Sequence, residues 1–192
     1  MTKTEIFQTE EVKPVQKLRE WLIANHSQTE SIWLVTYKKH MGANYVSVQE
    51  ILDEVLCFGW VDGIRRKLDD DHTRQMISSR QTQHWAKSYQ EQAAKLITAG
   101  RMQAAGLAAI EASKQKGLWN LMDDVDALIQ PADLVTALDD HPPASENCTA
   151  AASSYQRNIL RWSKLAKTPK TQAKRIQETA VTAAQNRKIS QM

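Results

Sequence analysis

Five residues have the side-chain chemistry to bind a small polar ligand, namely Lys38, Asp62, Arg80, His84 and Trp85. Arginine and lysine hold carboxylates and phosphates, and a tryptophan can form the apolar wall of a pocket. In such a site Asp62 would pair with a neighbouring base and orient the ligand. Asp62 could equally hydrogen-bond the backbone beside Gly63 as a structural group. We predict a candidate ligand site at these five positions and leave both roles of Asp62 open.

A second set of candidate residues lies near the C-terminus and consists of bases at helical spacing, namely Arg157, Arg161, Lys164, Lys170 and Lys174. The first three recur at i, i+4 and i+7, and the last two at i and i+4, so each group shares one face of a helix. We predict that they form a surface for an anionic partner. Nucleic acid, an acidic protein and a membrane surface remain alternatives, and a solvated face without a partner is another.

The charge distribution along the chain supports this second set. Residues 151–192 carry nine lysines and arginines and one acid, whereas residues 1–150 carry 16 bases and 21 acids. The net charge of +3 therefore hides a strongly basic C-terminal segment. Such an asymmetry favours an acidic partner, either outside the protein or in the rest of the same chain.

Motifs that would indicate a specific reaction are missing from the sequence. The five histidines form no HExxH pattern, and Asp123 to Asp126 lacks the spacing of a calcium-binding loop. Neither a phosphate-binding glycine pattern nor a GxSxG motif occurs. We therefore expect no metal, no cofactor and no catalytic residue, and we predict binding rather than catalysis.

The two cysteines and the chain termini indicate the cellular setting. Cys57 and Cys148 are isolated, so they suggest neither a disulfide framework nor a zinc site. The first residues contain no apolar stretch typical of a secretion signal, and no apolar run approaches the length of a transmembrane helix. We expect a cytoplasmic protein. The sequence makes no prediction of its oligomeric state.

The candidate ligand residues fall on predicted strands and on the start of a helix. Residues 10–25 have helical apolar spacing, and residues 31–38 are rich in β-branched and aromatic residues, which favour a strand. Ser47 and Glu50 form a capping-box pattern before an apolar helix that ends near Gly59.

The stretch from Trp60 to Arg80 predicts a β-hairpin with a polar turn at residues 69–72. Strict alternation along its first strand places Asp62, Ile64, Arg66 and Leu68 on one face. The same alternation places Arg65 on the opposite, solvated face.

Helical patterns dominate after residue 80. They cover residues 83–99, 102–116, 131–139, 155–167 and 169–187, and the Thr168-Pro169 pair is a typical helix start. Because strands occur only in the first 80 residues, we predict an α+β fold with a small antiparallel sheet. We further predict an α+β domain over residues 1–120 and a helical, basic module over residues 121–192.

Four segments form a combination that is typical of one family. They are LCFGWVDG at 56–63, the segment 80–85, AGRMQAAGLAAIEASKQKGLW at 99–119, and RWSKLAKTPKTQAKRIQE at 161–178. Together they resemble the YdeI/OmpD-associated family of bacterial proteins, also called bacteriocin-protection proteins, over nearly the whole chain. The resemblance implies an association with an outer-membrane porin and with resistance to antibacterial peptides. It implies no reaction, cofactor or catalytic residue.

The segment after the hairpin departs from the pattern of this family. Where the family has a proline-arginine pair, this chain has Ser79 and Arg80. Gln83, Ala86 and Tyr89 stand near positions that carry two serines and an asparagine in the family. Arg80 and Trp85 match it, so a shared site would be altered around these two residues.

Two functional hypotheses follow. The first is a non-enzymatic binding or stress-protection protein that engages an anionic partner through its basic helices. The alternative is a small-molecule-binding protein or enzyme with a pocket beside the hairpin. Convergence of these five side chains on a concave, tryptophan-lined pocket would favour the alternative. Their scatter across the surface, with the C-terminal bases on one continuous face, would favour the first hypothesis.

Overall fold

A computed structural model of the chain describes residues 7–189. Its elements divide into two compact units, one spanning Met1–Asn120 and the other Leu121–Met192. The first combines a four-stranded sheet with helices, and the described part of the second contains only helices. The α+β fold class predicted from the sequence is therefore confirmed. Within residues 7–189, no helix has the length and apolar character needed to cross a membrane.

The first unit is built on a sheet with the strand order β1-β2-β4-β3. Its elements are β1 (Thr9–Glu11), α1 (Val15–Asn25), β2 (Ile32–Tyr37), a 3-10 helix (Lys39–Asn44), α2 (Val48–Cys57), β3 (Trp60–Lys67), β4 (His72–Ser79), α3 (Lys87–Thr98) and α4 (Ala104–Gln115). Strands β2, β4 and β3 are antiparallel, as the sequence predicts, whereas β1 pairs with β2 in parallel. Strand β1 was not predicted, because its three residues, Thr-Glu-Glu, have no apolar alternation.

The β3–β4 hairpin contains a β-bulge that changes which side chains share a face. Asp62 pairs with Ile77 and Arg65 pairs with Gln75, so two residues of β3 oppose Met76 alone. A bulge of this kind reverses the alternation that follows it. Arg65 therefore lies on the same face as Asp62, and the prediction that placed it on the opposite face is wrong.

Helix α2 shows how the sequence positions the hairpin. The Ser47 side chain accepts a hydrogen bond from the Glu50 backbone, and the Glu50 carboxylate accepts one from the Ser47 backbone, which is the predicted capping box. The helix ends at Cys57, and the chain then turns at Gly59, which has a φ of 73°. Trp60 follows directly and is fully buried, so the hairpin begins inside the core.

The described part of the second unit contains three short helices followed by two longer ones. They are α5 (Asp123–Asp126), α6 (Ala132–Asp139), α7 (Ala144–Ala150), α8 (Ser153–Lys164) and α9 (Pro169–Ala184). The Thr168 side chain accepts a hydrogen bond from the Thr171 backbone and caps α9, as predicted. Helix α8 ends three residues earlier than the sequence pattern indicates. An apolar core of its own holds this unit together, with Leu134, Leu138, Ile159 and Ile176 among the buried residues.

Candidate functional site

Asp62 lies at the centre of a polar cluster in the first unit. The Tyr89 hydroxyl donates a hydrogen bond of 2.5 Å to its Oδ1, and the Gln75 amide donates one of 3.2 Å to its Oδ2. Burial raises the pKa of Tyr89, and the hydrogen bond to Asp62 raises this pKa further. Tyr89 therefore stays protonated and holds the Asp62 carboxylate in one orientation. Asp62 lies on β3, and its partners Gln75 and Tyr89 lie on β4 and α3.

Arg80 lies next to this pair, immediately after β4. Its backbone N–H donates to the Gly59 carbonyl at 3.0 Å, which fixes the start of the side chain. The guanidinium carbon lies 4.1 Å from the centre of the Trp85 ring and 5.7 Å from that of Tyr89. Burial lowers the pKa of Arg80 to about 10, and Tyr89 and Asp62 partly oppose this shift. The guanidinium remains charged near neutral pH and lies against two aromatic faces.

Trp85 forms the apolar wall of the cluster. Its side chain is 1% exposed, and its ring centre lies 4.7 Å from that of Trp119. Its backbone N–H donates to the Leu118 carbonyl at 3.2 Å. The loop before α3 is thus anchored to the segment after α4.

Four buried polar atoms of this cluster have no hydrogen-bond partner within the described residues, namely Arg65 Nη1, Gln75 Oε1, Arg80 Nε and Trp85 Nε1. Three of them are donors and one is an acceptor. Such atoms are rare in folded proteins and are satisfied by water or by a bound group. Arg65 and Gln75 are direct cross-strand partners, and Gln75 contacts Asp62, so the four atoms belong to one connected set of contacts.

The structure brings together four of the five predicted ligand residues. Asp62, Arg80 and Trp85 are joined through Tyr89, and the His84 backbone carbonyl accepts a hydrogen bond from Arg80 at 3.3 Å. Two further members of the cluster, Gln75 and Tyr89, were not predicted as site residues, and Arg65 was expected on the solvated face. The glycine in the WVDG segment was a signal of the bulge that brings Arg65 to this face.

Lys38 lies elsewhere, at the turn of the β3–β4 hairpin. Its Nζ donates to the backbone carbonyls of Asp69 and Asp70 at 2.6 and 2.8 Å. This placement follows from the register of the sheet, because Tyr37 pairs with His72 at the turn end of β4. The structure thus does not group Lys38 with the other four predicted residues.

The five bases of the predicted basic surface differ in their burial and in their contacts. Lys164 donates to both carboxylate oxygens of Asp124 at 2.5 and 2.6 Å, and this hydrogen bond is the largest cause of the lowered pKa of Asp124. Lys170 and Lys174 are exposed on α9, whereas Arg157 and Arg161 are half-buried on α8. One of the five bases is therefore already neutralised within the unit.

The two units match different families. Residues 127–186 match the family described as Bacteriocin-protection, YdeI or OmpD-Associated. Residues 10–109, which are more than half of the 192-residue chain, match a domain of unknown function, DUF8412. The chain belongs to the DUF8412 family and carries a YdeI/OmpD-associated module. No curated protein and no solved structure matches it.

The predicted resemblance to the YdeI/OmpD-associated family is thus confirmed, over residues 127–186. The LCFGWVDG segment falls instead within the DUF8412 match, although the sequence analysis assigned it to the other family. The cluster around Asp62 lies in the DUF8412 unit, and the five predicted bases lie in the YdeI/OmpD-associated module.

Other reactive groups of the chain do not form a site. Among residues 7–189, no three or more histidine, cysteine, aspartate or glutamate side chains are grouped to hold a metal ion. Cys57 and Cys148 are buried thiols, and burial raises the pKa of each. Both thiols therefore stay protonated at neutral pH and are poor nucleophiles.

Proposed function

We propose that the DUF8412 unit binds a small molecule that carries a carboxylate or phosphate group, beside the β3–β4 hairpin. One observation supports this most strongly. Arg80 Nε and Trp85 Nε1 are buried donors without a partner among the described residues, and the Arg80 guanidinium lies 4.1 Å from the Trp85 ring centre. A cationic guanidinium with an unpaired N–H, next to an unpaired indole N–H, suits an oxyanion.

The surroundings of these donors favour an acidic ligand with an additional polar group. Asp62 is oriented by Tyr89 and Gln75, and each of its oxygens can accept a further hydrogen bond. Gln75 is 3% exposed and offers a free Oε1 acceptor on the same face. The ligand would place its anionic group at Arg80 and a hydroxyl or amine near Asp62.

Binding is the activity that this chemistry supports, as opposed to catalysis. The raised pKa of Tyr89 keeps its hydroxyl protonated and engaged with Asp62, so it is a poor general base. Of the two hypotheses from the sequence, we favour the small-molecule one, because the side chains of Asp62, Arg80 and Trp85 are joined through Tyr89. An anionic partner on the basic helices remains a proposal for the second unit.

The test is titration of the full chain with inorganic phosphate, acetate, succinate and citrate. Binding is monitored by tryptophan fluorescence and by NMR. We expect saturable binding of at least one of these anions in the millimolar range or tighter, with shifts of the Trp85 indole N–H resonance. Arg80→Gln should abolish it. Arg66→Gln removes an equal charge from an exposed position of β3 and should leave binding intact.

Two results would overturn the proposal. One is the absence of saturable binding for all four anions at millimolar concentration. The other is equal binding by wild type and a folded Arg80→Gln variant, because the anion would then lie elsewhere. Amide dispersion in the NMR spectrum of each variant shows whether the fold is intact.

A further inference from the structure

A groove between α8 and α9 is the most distinctive surface of the YdeI/OmpD-associated module. It has a volume of about 380 Å³ and is lined by Asn158, Arg161, Trp162, Leu165 and Arg175. This volume lies in the range of sites that hold a small ligand or a few side chains of a partner. Residues of α8, its C-terminal end and α9 all contribute to it.

Contacts within the module fix the base of the groove. The Arg175 guanidinium carbon lies 5.0 Å from the centre of the Trp162 ring, and Arg175 donates a hydrogen bond to the Trp162 backbone carbonyl. The tryptophan and the arginine therefore hold each other in place. A rigid aromatic surface beside a cation is typical of residues that dominate binding energy at protein interfaces.

The groove combines an exposed apolar side chain with an arginine that has an unpaired donor atom. Leu165 is 42% exposed although it is a large apolar side chain. Arg161 Nε is buried without a hydrogen-bond partner among residues 7–189. A binding partner would therefore satisfy the groove best if it offered an apolar side chain to Leu165 and a carboxylate to Arg161.

The charge of the module argues for a peptide as opposed to a nucleic acid. Residues 121–192 carry nine bases and eight acids, and seven of these acids lie in residues 121–150. Lys164 is already paired with Asp124. Nucleic-acid binding depends on many simultaneous phosphate contacts, whereas this groove offers two arginines.

We propose that this groove docks a partner protein through a short segment in which acidic residues alternate with apolar ones. The acidic residue would contact Arg161 and Arg175, and the apolar side chain would pack on Trp162 and Leu165. The site is independent of the ligand cluster around Asp62, so either proposal can fail without the other.

The probe is an N-acetylated and C-terminally amidated peptide, Asp-Leu-Glu-Leu, added to the isotope-labelled full chain and monitored by NMR. We expect saturable shifts of the Trp162 indole N–H resonance. The neutral peptide Asn-Leu-Gln-Leu should bind about tenfold more weakly, as expected from the loss of a hydrogen bond to a charged group. Equal binding of the two peptides, or no shift at Trp162 at millimolar peptide, would refute the proposal.

Two variants localise the effect. Arg161→Gln should weaken binding of the acidic peptide about tenfold, for the same physical reason. Lys188→Gln removes a base of the same module outside the groove and should leave binding unchanged. Equal effects of the two variants would mean that only net charge matters, which contradicts a specific groove.

A single-stranded oligothymidine titrated in the same way provides the remaining comparison. We expect no shift of the Trp162 resonance with the oligonucleotide at physiological salt. Shifts that saturate with the strand and weaken steeply with salt would instead identify the groove as a nucleic-acid site and overturn the peptide proposal.

Discussion

At the scale of single residues, the charged groups differ in how many of their polar atoms have a hydrogen-bond partner. Asp62 accepts one hydrogen bond on each of its oxygens, and Lys164 is paired with Asp124. Arg80 and Arg161 differ from them, because each has a buried Nε without a partner in the described part of the chain. From the sequence alone, all four groups are candidate binding residues of equal standing. Only the structure distinguishes the two arginines by these unpaired atoms.

Replacement of Tyr89 by phenylalanine tests how strongly the ligand cluster is held together. The variant removes the 2.5 Å hydrogen bond to Asp62 and leaves a partly buried carboxylate oxygen without its donor. We expect the free energy of unfolding to fall by about 1–3 kcal/mol. Urea unfolding of both proteins gives this difference. An Asp62→Asn variant, which can still accept the Tyr89 hydrogen bond, should lose less. An unchanged unfolding midpoint for Tyr89→Phe would show that water replaces the hydroxyl without cost.

At the scale of elements, local chemistry predicted two helix starts, whereas other helix boundaries differ from the prediction by several residues. The capping box at Ser47 and the Thr168-Pro169 start of α9 both follow from side-chain and backbone geometry within four residues, and both are confirmed. Features that depend on pairing between distant residues were missed. The parallel strand β1 is set by its contacts with β2. Gly63 signals a possible bulge, but the register shift after Asp62 is fixed only by pairing with β4.

Two glycines with the same backbone conformation have different surroundings. This difference predicts how well each position tolerates an alanine. Gly59 and Gly100 have φ values of 73° and 66°. A Cβ added at Gly59 would lie 2.7 Å from Ala109 Cβ and 2.9 Å from the Ala105 carbonyl oxygen, whereas one at Gly100 would meet nothing within 4 Å.

We expect Gly100→Ala to lower the free energy of unfolding by about 1–2 kcal/mol, the cost of a left-handed conformation for a residue with a Cβ. Gly59→Ala should cost clearly more, because α4 must also move away from the end of α2. Chemical denaturation of the two variants provides the comparison. Similar losses would mean that α4 shifts freely, in contradiction to the close contact.

At the scale of the whole molecule, the chain has two cores and two kinds of candidate site. One core is formed around Leu22, Ile51 and Trp60, and the other around Leu134, Ile159 and Ile176. Residues 151–192 are strongly basic as a segment of the sequence. Because the acids of residues 121–150 belong to the same compact unit, that unit as a whole is almost neutral. Composition by segment therefore overstated the positive charge of the folded module.

The existence of a separate core in each unit predicts that the module folds alone. We expect a fragment of residues 121–192 to give a helical circular dichroism spectrum and one cooperative thermal transition, because helices α6, α8 and α9 bury their apolar faces against one another. Its stability should be modest, since a chain of this length buries a smaller fraction of its surface than a large domain.

A fragment of residues 1–120 serves as the matched control and should fold with strand and helix signals. If residues 121–192 were unfolded alone while the full chain showed a single transition, the second core would depend on the first unit. The DUF8412 and YdeI/OmpD-associated regions would then form one folding unit.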